Sequence, residues 1–489
     1  MVCMNDTKEK KIWKYPMWCV ILLQTVVLTM FGVRIYRMDI LPTQYMIGYA
    51  VASVVLCVLF VFLAMKAVKG IKSALLFMIV PIFLSIGLLW ANGVVKDFQN
   101  TLEEVTIDKE QAEKVITEVT ILVLNDSVIS EITEMKEFRI GCMGGNLEEV
   151  SKIQEEINAS LQEAPQYTTF EDVYSLVDAL YAKTVNAIII DKAFMQVVSE
   201  TEGYETFLKD VKEVYSTEII SYMNIVEKER DLNSFVVYVS GIDRFGHISA
   251  TSRSDVNLLL AVNTETKQIQ MINTPRDYYV PLPNSKGMKD KLTHAGLYGV
   301  DCSMKTLEKL YGIEIDYYVK MNFSGFEAII DALGGIDVYS EYDFTVEPVK
   351  HYKKGMNHLT GLEALAFARE RKSFQAGDIQ RGKNQMEVVR ATITKLISPE
   401  ILYRYTKVLE SISDTVQTNM TSEELYQLVK MQLSDMASWN MSSYSVTGKG
   451  TKAVTFSTPK KELYVMLPNE SMVSEAKRLM NQVLEGTKE

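Results

Sequence analysis

Cysteine and histidine are scarce in this chain of 489 residues, which contains five and four of them. Three cysteines lie in the apolar first part of the chain, so only Cys142 and Cys302 stand in the polar remainder. That number is too small for a disulfide framework or a cysteine-based zinc site, and the histidines lack the spacing of metal ligands. The sequence predicts two buried free thiols, and a single Cys142 to Cys302 bridge is the alternative.

Positive charge is also in deficit. The chain has 51 Lys and Arg against 62 Asp and Glu, which gives a net charge of -11. Sequence-independent binding of nucleic acid needs a basic surface to neutralise phosphates. A direct nucleic-acid partner is therefore not expected.

Long apolar runs occur only near the N-terminus, at about residues 15–33, 45–65 and 74–94. Each is close to the roughly 20 residues that cross a bilayer as a helix. Lysines precede the first run and fill the loop between the second and third, at Lys8, Lys10, Lys11, Lys14, Lys66, Lys69 and Lys72. Because cytoplasmic loops are enriched in Lys and Arg, we expect a multi-pass cell-membrane protein with three spans and a cytoplasmic N-terminus. Residues after about 96 would then lie outside the cell.

The polar remainder reads as two α/β units. Residues 96–230 are interpreted as a stalk and an accessory α/β domain, with strands at 119–124, 138–142 and 186–190. The charged stretch at 227–231 separates them from a second domain at 231–489, which opens with strands at 235–241, 256–262 and 268–273 in a meander. The predicted fold class is N-terminal transmembrane helices (residues 1–95) followed by two α/β or α+β domains, the second with a central mixed sheet flanked by helices.

Two aspartates flank the first turn of this second domain. Asp243 ends the first strand and Asp255 opens the second, next to Arg253. Two carboxylates with few other ligands suit Mg²⁺, which keeps waters and takes phosphate oxygens from a substrate. Ordinary turn aspartates are the alternative.

Arginines recur further along the domain. Arg276 follows the third strand, and Arg369 and Arg371 are two residues apart in a segment interpreted as a short helix followed by an extended piece at 367–371. Further on, Asp378, Arg381 and Gln385 have helical spacing. Five guanidinium groups suit a pyrophosphate with its several negative oxygens, and a surface salt-bridge network is the open alternative.

Seven segments resemble, in order and approximate spacing, the catalytic domain of the LytR-CpsA-Psr family. They are G-I-D at 241–243, S-R-S-D at 252–255, T-P-R-D at 274–277, K-L-T-H-A at 291–295, D-A-L-G-G-I-D-V at 331–338, L-T-G-L-E-A-L-A-F-A-R-E-R at 359–371 and D-I-Q-R-G-K-N-Q at 378–385. The multi-span anchor and the accessory domain resemble the CpsA branch, which is associated with capsules.

The resemblance implies an Mg²⁺-assisted phosphotransferase that moves a glycan, by its domain arrangement a capsular polysaccharide, from undecaprenyl pyrophosphate to a hydroxyl of peptidoglycan. It implies Asp243 and Asp255 as metal ligands. It implies a pyrophosphate clamp with pocket partners, formed by Arg253, Arg276, Arg369, Arg371, Arg381, Asp378 and Gln385. Capsule-synthesis membrane proteins are implied as further partners, and an apolar lipid channel is expected near residues 258–260 and 323–333.

This sequence departs from the family pattern at two positions. Thr293 stands where asparagine is frequent, and Asn384 where arginine is frequent. Neither change removes a proposed ligand. Two other functions stay open: a polyprenyl-phosphate-binding scaffold without turnover, and a membrane-bound regulator of capsule or cell-wall genes.

Overall fold

The computed structural model describes residues 14–67, 71–106, 113–134, 138–144, 147–160, 165–223, 230–242, 248–398, 404, 407–408, 411 and 415–486. Its helices are α1 (Lys14–Met38), α2 (Thr43–Ala67), α3 (Ile71–Val105), α4 (Leu147–Ser160), α5 (Val173–Tyr181), α6 (Lys192–Ser199), α7 (Phe207–Asp210), α8 (Leu292–Ala295), α9 (Val300–Tyr311), α10 (Phe323–Ala332), α11 (Gly361–Arg369), α12 (Asp378–Leu396), α13 (Ser422–Asp435) and α14 (Glu470–Leu484).

The strands are β1 (Glu113–Leu124), β2 (Arg139–Met143), β3 (Gln166–Phe170), β4 (Ala187–Asp191), β5 (Val211–Met223), β6 (Ser234–Ile242), β7 (Ser254–Asn263), β8 (Gln268–Asn273), β9 (Tyr279–Pro281), β10 (Lys289–Lys291), β11 (Tyr317–Asn322), β12 (Ile336–Ser340), β13 (Phe344–Val346), β14 (Lys350–Tyr352), β15 (Gly355–Leu359), β16 (Val416–Thr418), β17 (Asn440–Ser445), β18 (Gly448–Val454) and β19 (Glu462–Pro468).

The chain forms two compact units. One comprises Met1–Asp108, Ile397–Glu410 and Met420–Ser438, and the other Lys109–Leu396, Ser411–Asn419 and Trp439–Glu489. The two larger sheets that the structure describes, one of five strands and one of six, lie in the second unit. The domain boundaries expected at residues 95 and 230 stay predictions.

The first unit contains α1, α2 and α3, which are long and apolar enough to cross a membrane over Tyr15–Met38, Thr43–Met65 and Phe77–Asn100. Many of their large apolar side chains, such as Leu22, Val54 and Phe83, are exposed in the protein. A helix with an apolar outer surface is stable in hydrocarbon, where its backbone hydrogen bonds are satisfied internally. Three apolar spans are confirmed, and their orientation stays a prediction.

The first sheet of the second unit has the strand order β3-β2-β4-β1-β5. Its parallel half joins β2 to β3 and β4, and β1 pairs antiparallel with β4 and β5. Helix α5 packs an apolar stripe on this sheet, and Asp172 caps its N-terminus by accepting hydrogen bonds from Tyr174 N and Ser175 N. The result is an α/β layer, as predicted.

The second sheet has the order β16-β11-β6-β7-β8-β17 and is mixed. Strands β6, β7 and β8 form the predicted antiparallel meander, and β11 runs parallel to β6. Nearly every residue of β6 is buried, as expected for a central strand with both faces covered. Helices flank this sheet, which confirms the predicted mixed-sheet architecture. Cys142 and Cys302 are both buried free thiols, as predicted.

This topology gathers four chain segments at one end of the sheet. Ile242 at the end of β6 pairs with Ser254 at the start of β7, next to a register shift. The end of β8 lies opposite the same part of β7, and β11 ends beside β6 because the two strands are parallel. The predicted polar residues on these segments are thus brought together by strand pairing.

Candidate active site

A cavity of about 280 Å³ lies at this end of the second sheet. Its polar lining comprises Glu200, Arg253, Asp255, Arg276, Asn322, Arg369, Arg371, Arg381 and Gln385. Its apolar lining comprises Val239, Val256, Met321, Phe323, Phe326, Leu365, Ala368, Val388 and Val389. The cavity is therefore cationic and apolar at once, a combination that suits an anionic head group joined to a hydrocarbon chain.

Asp255 lies between two donors inside the cavity. Its Oδ2 is 3.0 Å from Arg276 Nη1, and its Oδ1 accepts a hydrogen bond of 2.9 Å from Thr293 Oγ1. Burial alone would raise the pKa of Asp255, but the charges of Arg276 and Arg253 and these hydrogen bonds bring it below its usual value. Asp255 is therefore an ionised, oriented carboxylate at neutral pH.

Arg276 remains capable of further binding. Burial would lower the pKa of its guanidinium, but the charges of Asp255 and Asp277 raise that pKa above its usual value. Its Nε atom is buried and 3.9 Å from Asp277 Oδ2, too far for a hydrogen bond, and it has no hydrogen-bond partner among the described residues. A buried unpaired donor is costly, and an anionic ligand in the cavity would satisfy it.

Arg369 and Arg371 reach the cavity from α11 and the residues that follow it. The expectation of an extended piece at 367–371 is wrong, because α11 continues to Arg369. A capping box between Thr360 and Glu363 starts this helix, and its alanines favour it. Both arginines still line the cavity, Arg369 with its guanidinium 4.3 Å from the ring centre of Phe323.

Helix α12 supplies the last polar residues, and it begins at Asp378, as the helical spacing of Asp378, Arg381 and Gln385 indicated. Arg381 pairs with Asp378 one turn earlier, and Gln385 lines the cavity one turn later. Burial lowers the pKa of Arg381, with Arg276 adding to the effect, and the charge of Asp378 only partly offsets it. Gly382 lies against the Asn273 side chain so closely that a Cβ would overlap it, which lets α12 approach β8.

Two substitutions relative to the family pattern have local structural roles. Thr293 Oγ1 donates the 2.9 Å hydrogen bond that orients the Asp255 carboxylate. Asn384 is buried, and its Nδ2 donates a 3.3 Å hydrogen bond to the Phe367 carbonyl oxygen of α11. That bond joins α11, which supplies Arg369, to α12, which supplies Arg381, so both residues have a positioning role at the site.

The structure therefore brings together most of the predicted site. Asp243 lies outside the described residues, and Asp378 contacts the cavity through Arg381. Residues 258–260, predicted for the lipid channel, lie in the sheet, and Phe323 and Phe326 of the predicted 323–333 segment line the cavity. Glu200 was not predicted, because it belongs to the first sheet's part of the chain and no local motif links it to this site.

Among the described residues no cluster of three or more His, Cys, Asp or Glu side chains is placed to hold a metal ion. The donor set still fits Mg²⁺, since that ion needs only one or two protein carboxylates when phosphate oxygens complete its shell. Each oxygen of Asp255 accepts one hydrogen bond and has a lone pair left for a cation. The role of Mg²⁺ stays a prediction.

Comparison with known proteins identifies the family to which this chain belongs. A sequence model of the LytR_cpsA_psr family matches residues 197–472. A Bacillus mycoides protein named polyisoprenyl-teichoic acid–peptidoglycan teichoic acid transferase TagU is 37% identical over 202 residues, which are 41% of this chain and 65% of that protein. The TagU protein of Bacillus cereus strain AH820 is 34% identical over 231 residues, which are 47% of this chain and 74% of that protein.

Among solved structures, that of Bacillus subtilis TagV aligns with a TM-score of 0.44 and 28% identity, covering 52% of this chain and 99% of the other. The match of the family model extends over more than half of the chain. This protein belongs to the LytR_cpsA_psr family, as its motifs indicated, and the relatives named above are glycopolymer transferases by name.

Proposed function

We propose that this protein is a membrane-anchored phosphotransferase that moves a glycopolymer from a polyprenyl diphosphate carrier to a hydroxyl group of peptidoglycan. The supporting observation is the cavity, in which five guanidinium groups share one space with an apolar wall. A diphosphate engages several guanidinium forks, and the first isoprene units suit the aromatic and aliphatic wall. On this proposal the five-stranded and the six-stranded sheet lie outside the cell, where peptidoglycan is found.

In the proposed reaction, the acceptor hydroxyl oxygen attacks the phosphorus that is linked to the glycan. The bond from that phosphorus to the bridging oxygen breaks, and the electron pair leaves with polyprenyl monophosphate. The acceptor's proton passes to a base. The arginines stabilise charge on the phosphoryl oxygens and on the departing monophosphate, which is the main requirement in phosphoryl transfer.

Asp255 is poorly suited to be that base, because burial would raise its pKa but the charges of Arg276 and Arg253 and the Thr293 hydrogen bond bring that pKa below its usual value. We propose that it instead orients Arg276 and, together with Asp243, holds Mg²⁺. The bound ion would neutralise charge on the diphosphate.

Two glycans are candidates for the transferred chain. The names of the relatives favour a teichoic acid, and the accessory domain with its multi-span anchor favours a capsular polysaccharide. Membrane proteins of capsule synthesis would be partners in the second case.

The full-length protein in detergent, given lipid-linked teichoic acid or capsular precursor, Mg²⁺ and peptidoglycan fragments, provides the test. We expect glycan joined to the fragments in the wild type and loss of that product in Arg276→Ala. Tight binding of the lipid without product, across acceptors and metals, would instead identify a binding scaffold.

A further inference from the structure

Glu200 reaches the candidate active site from the part of the chain that forms the first sheet. It directly follows α6, whose Ala193 and Val197 pack on Leu297. Leu297 belongs to the second-sheet region, the part of the chain from about residue 231 onward. The ring of Phe194 on the same helix lies 6.1 Å from the ring of Tyr298. This small apolar contact fixes the end of α6 against the cavity, so the position of Glu200 is set by packing between the two sheet regions.

The Glu200 carboxylate engages Arg253 with both oxygens. Arg253 Nη1 contacts Oε2, and Nη2 donates a 2.9 Å hydrogen bond to Oε1. The Arg253 side chain is only 7% exposed, whereas that of Glu200 is 51% exposed. A guanidinium this deeply buried needs a counter-charge, and removing one partner of such a pair leaves an uncompensated charge.

This pairing conflicts with diphosphate binding through the same arginine. The two terminal nitrogens form the edge that a phosphate would engage bidentately, and a carboxylate already occupies that edge. The carboxylate also lines the cavity, where its negative charge would repel the diphosphate. A diphosphate must therefore displace Glu200 or bind Arg253 through its remaining N–H groups.

We propose that Glu200 is an internal counter-ion that holds Arg253 in the ligand-free protein and is exchanged for the diphosphate when the substrate binds. The inference rests on the proposed function and adds a regulating residue to it. Because the exchange breaks the ion pair between Arg253 and the residue that follows α6, substrate binding and the packing of α6 against Leu297 are linked, and this linkage is reciprocal.

Neutralising Glu200 has two effects, and both favour diphosphate binding. It leaves Arg253 buried without its partner, which destabilises the ligand-free protein. It also removes a negative charge from the cavity, which favours a bound anion. Both effects should tighten diphosphate binding, whereas a residue that merely positions Arg253 for the substrate would loosen it on removal.

The test measures binding of inorganic pyrophosphate and of a short polyprenyl diphosphate to the full-length protein in detergent, by calorimetry, together with thermal unfolding. Glu200→Gln should lower the Tm of the ligand-free protein, tighten the Kd for pyrophosphate by roughly threefold or more, and enlarge the ligand-induced rise in Tm. Glu202→Gln is the matched control, because Glu202 is exposed nearby and does not line the cavity, so we expect wild-type binding.

A double-mutant cycle with Arg253→Gln decides whether the effect passes through Arg253. In that background Glu200→Gln should change the Kd far less than in the wild type. Glu200→Asp, which keeps the charge on a shorter side chain, should have intermediate affinity and replaces the glutamine variant in the test if that variant does not fold.

Unchanged or weaker pyrophosphate binding by the Glu200 variants overturns the inference while leaving the proposed function intact. Failure of the wild type to bind either diphosphate would reject the proposed function and, with it, this inference.

Discussion

Truncation of Arg371 should change diphosphate affinity without lowering the stability of the ligand-free protein. Its side chain lines the cavity and is exposed, and within the described residues it forms no ion pair or side-chain hydrogen bond. Its charge also lowers the pKa of Arg381, which shows that the two cations repel each other. Truncating Arg371 therefore removes no ion pair or side-chain hydrogen bond that the described residues form, and it relieves a repulsion.

Arg371→Ala should leave the Tm of the ligand-free protein unchanged or slightly raised. If the guanidinium contacts the diphosphate, its loss removes a charged hydrogen bond worth about 1.5–3 kcal/mol, or roughly 10- to 150-fold in Kd. Calorimetric titration of the full-length protein with a short polyprenyl diphosphate measures this loss. Lys372→Ala is the matched control, because Lys372 is exposed, adjacent and outside the cavity lining.

The comparison with Arg276→Ala sharpens the prediction. That variant should weaken binding and also lower the Tm, because Asp255 would stay buried without its ion pair. Equal Kd values for the wild type and Arg371→Ala, or an equal weakening by Lys372→Ala, would refute the assignment of Arg371 to the clamp.

Three further predictions concern the support of the site. Thr293→Val removes the hydroxyl at nearly constant volume, so it should raise the pKa of Asp255 and lower the free energy of unfolding by about 1–2 kcal/mol. A pH profile of activity should then show its acidic limb moved toward neutral pH. Gly296→Ala should lower the Tm and weaken diphosphate binding, because a Cβ there would lie 2.5 Å from the Ser252 carbonyl oxygen and force the loop before β7 to move. Asp290→Asn should cost about 1.5–3 kcal/mol of stability at neutral pH, since the buried carboxylate accepts hydrogen bonds from Ser457 N and Oγ and lies 2.7 Å from His294 Nδ1.

The Asp290 prediction includes a pH dependence. Burial would raise the pKa of Asp290, but the charge and hydrogen bond of His294 and the bonds from Ser457 bring it below its usual value. Because the folded pKa is depressed, the stabilisation is complete above the unfolded pKa of about 4 and is lost as the pH falls through the folded value. Thermal unfolding of Asp290→Asn should lack this acid dependence, and an identical dependence in both proteins would contradict the assignment.

Much of the fold was predictable because its signals are local. The three spans follow from runs of apolar residues, and the meander follows from short strands separated by polar turns. The spacing of Arg369 and Arg371 predicts an extended piece at 367–371. The capping box and the alanines instead favour a helix that continues to Arg369.

The site was predictable where residues follow strand ends or share a helical face. Arg381 and Gln385 lie one turn apart on α12, so spacing placed them together. The partners of these residues were not predictable in this way. Glu200 meets Arg253 only because α6 packs on Leu297, and Thr293 meets Asp255 only through the fold of the second sheet region.

In the proposed reaction the glycan leaves its carrier together with one phosphate. The most direct measurement is the identity of the lipid released by the full-length protein when glycan is joined to peptidoglycan fragments, determined by mass spectrometry. Phosphoryl transfer predicts polyprenyl monophosphate, one molecule for each phosphodiester formed on the acceptor. Release of polyprenyl diphosphate, with the glycan attached to the acceptor without phosphate, would exclude phosphoryl transfer as the reaction of this protein.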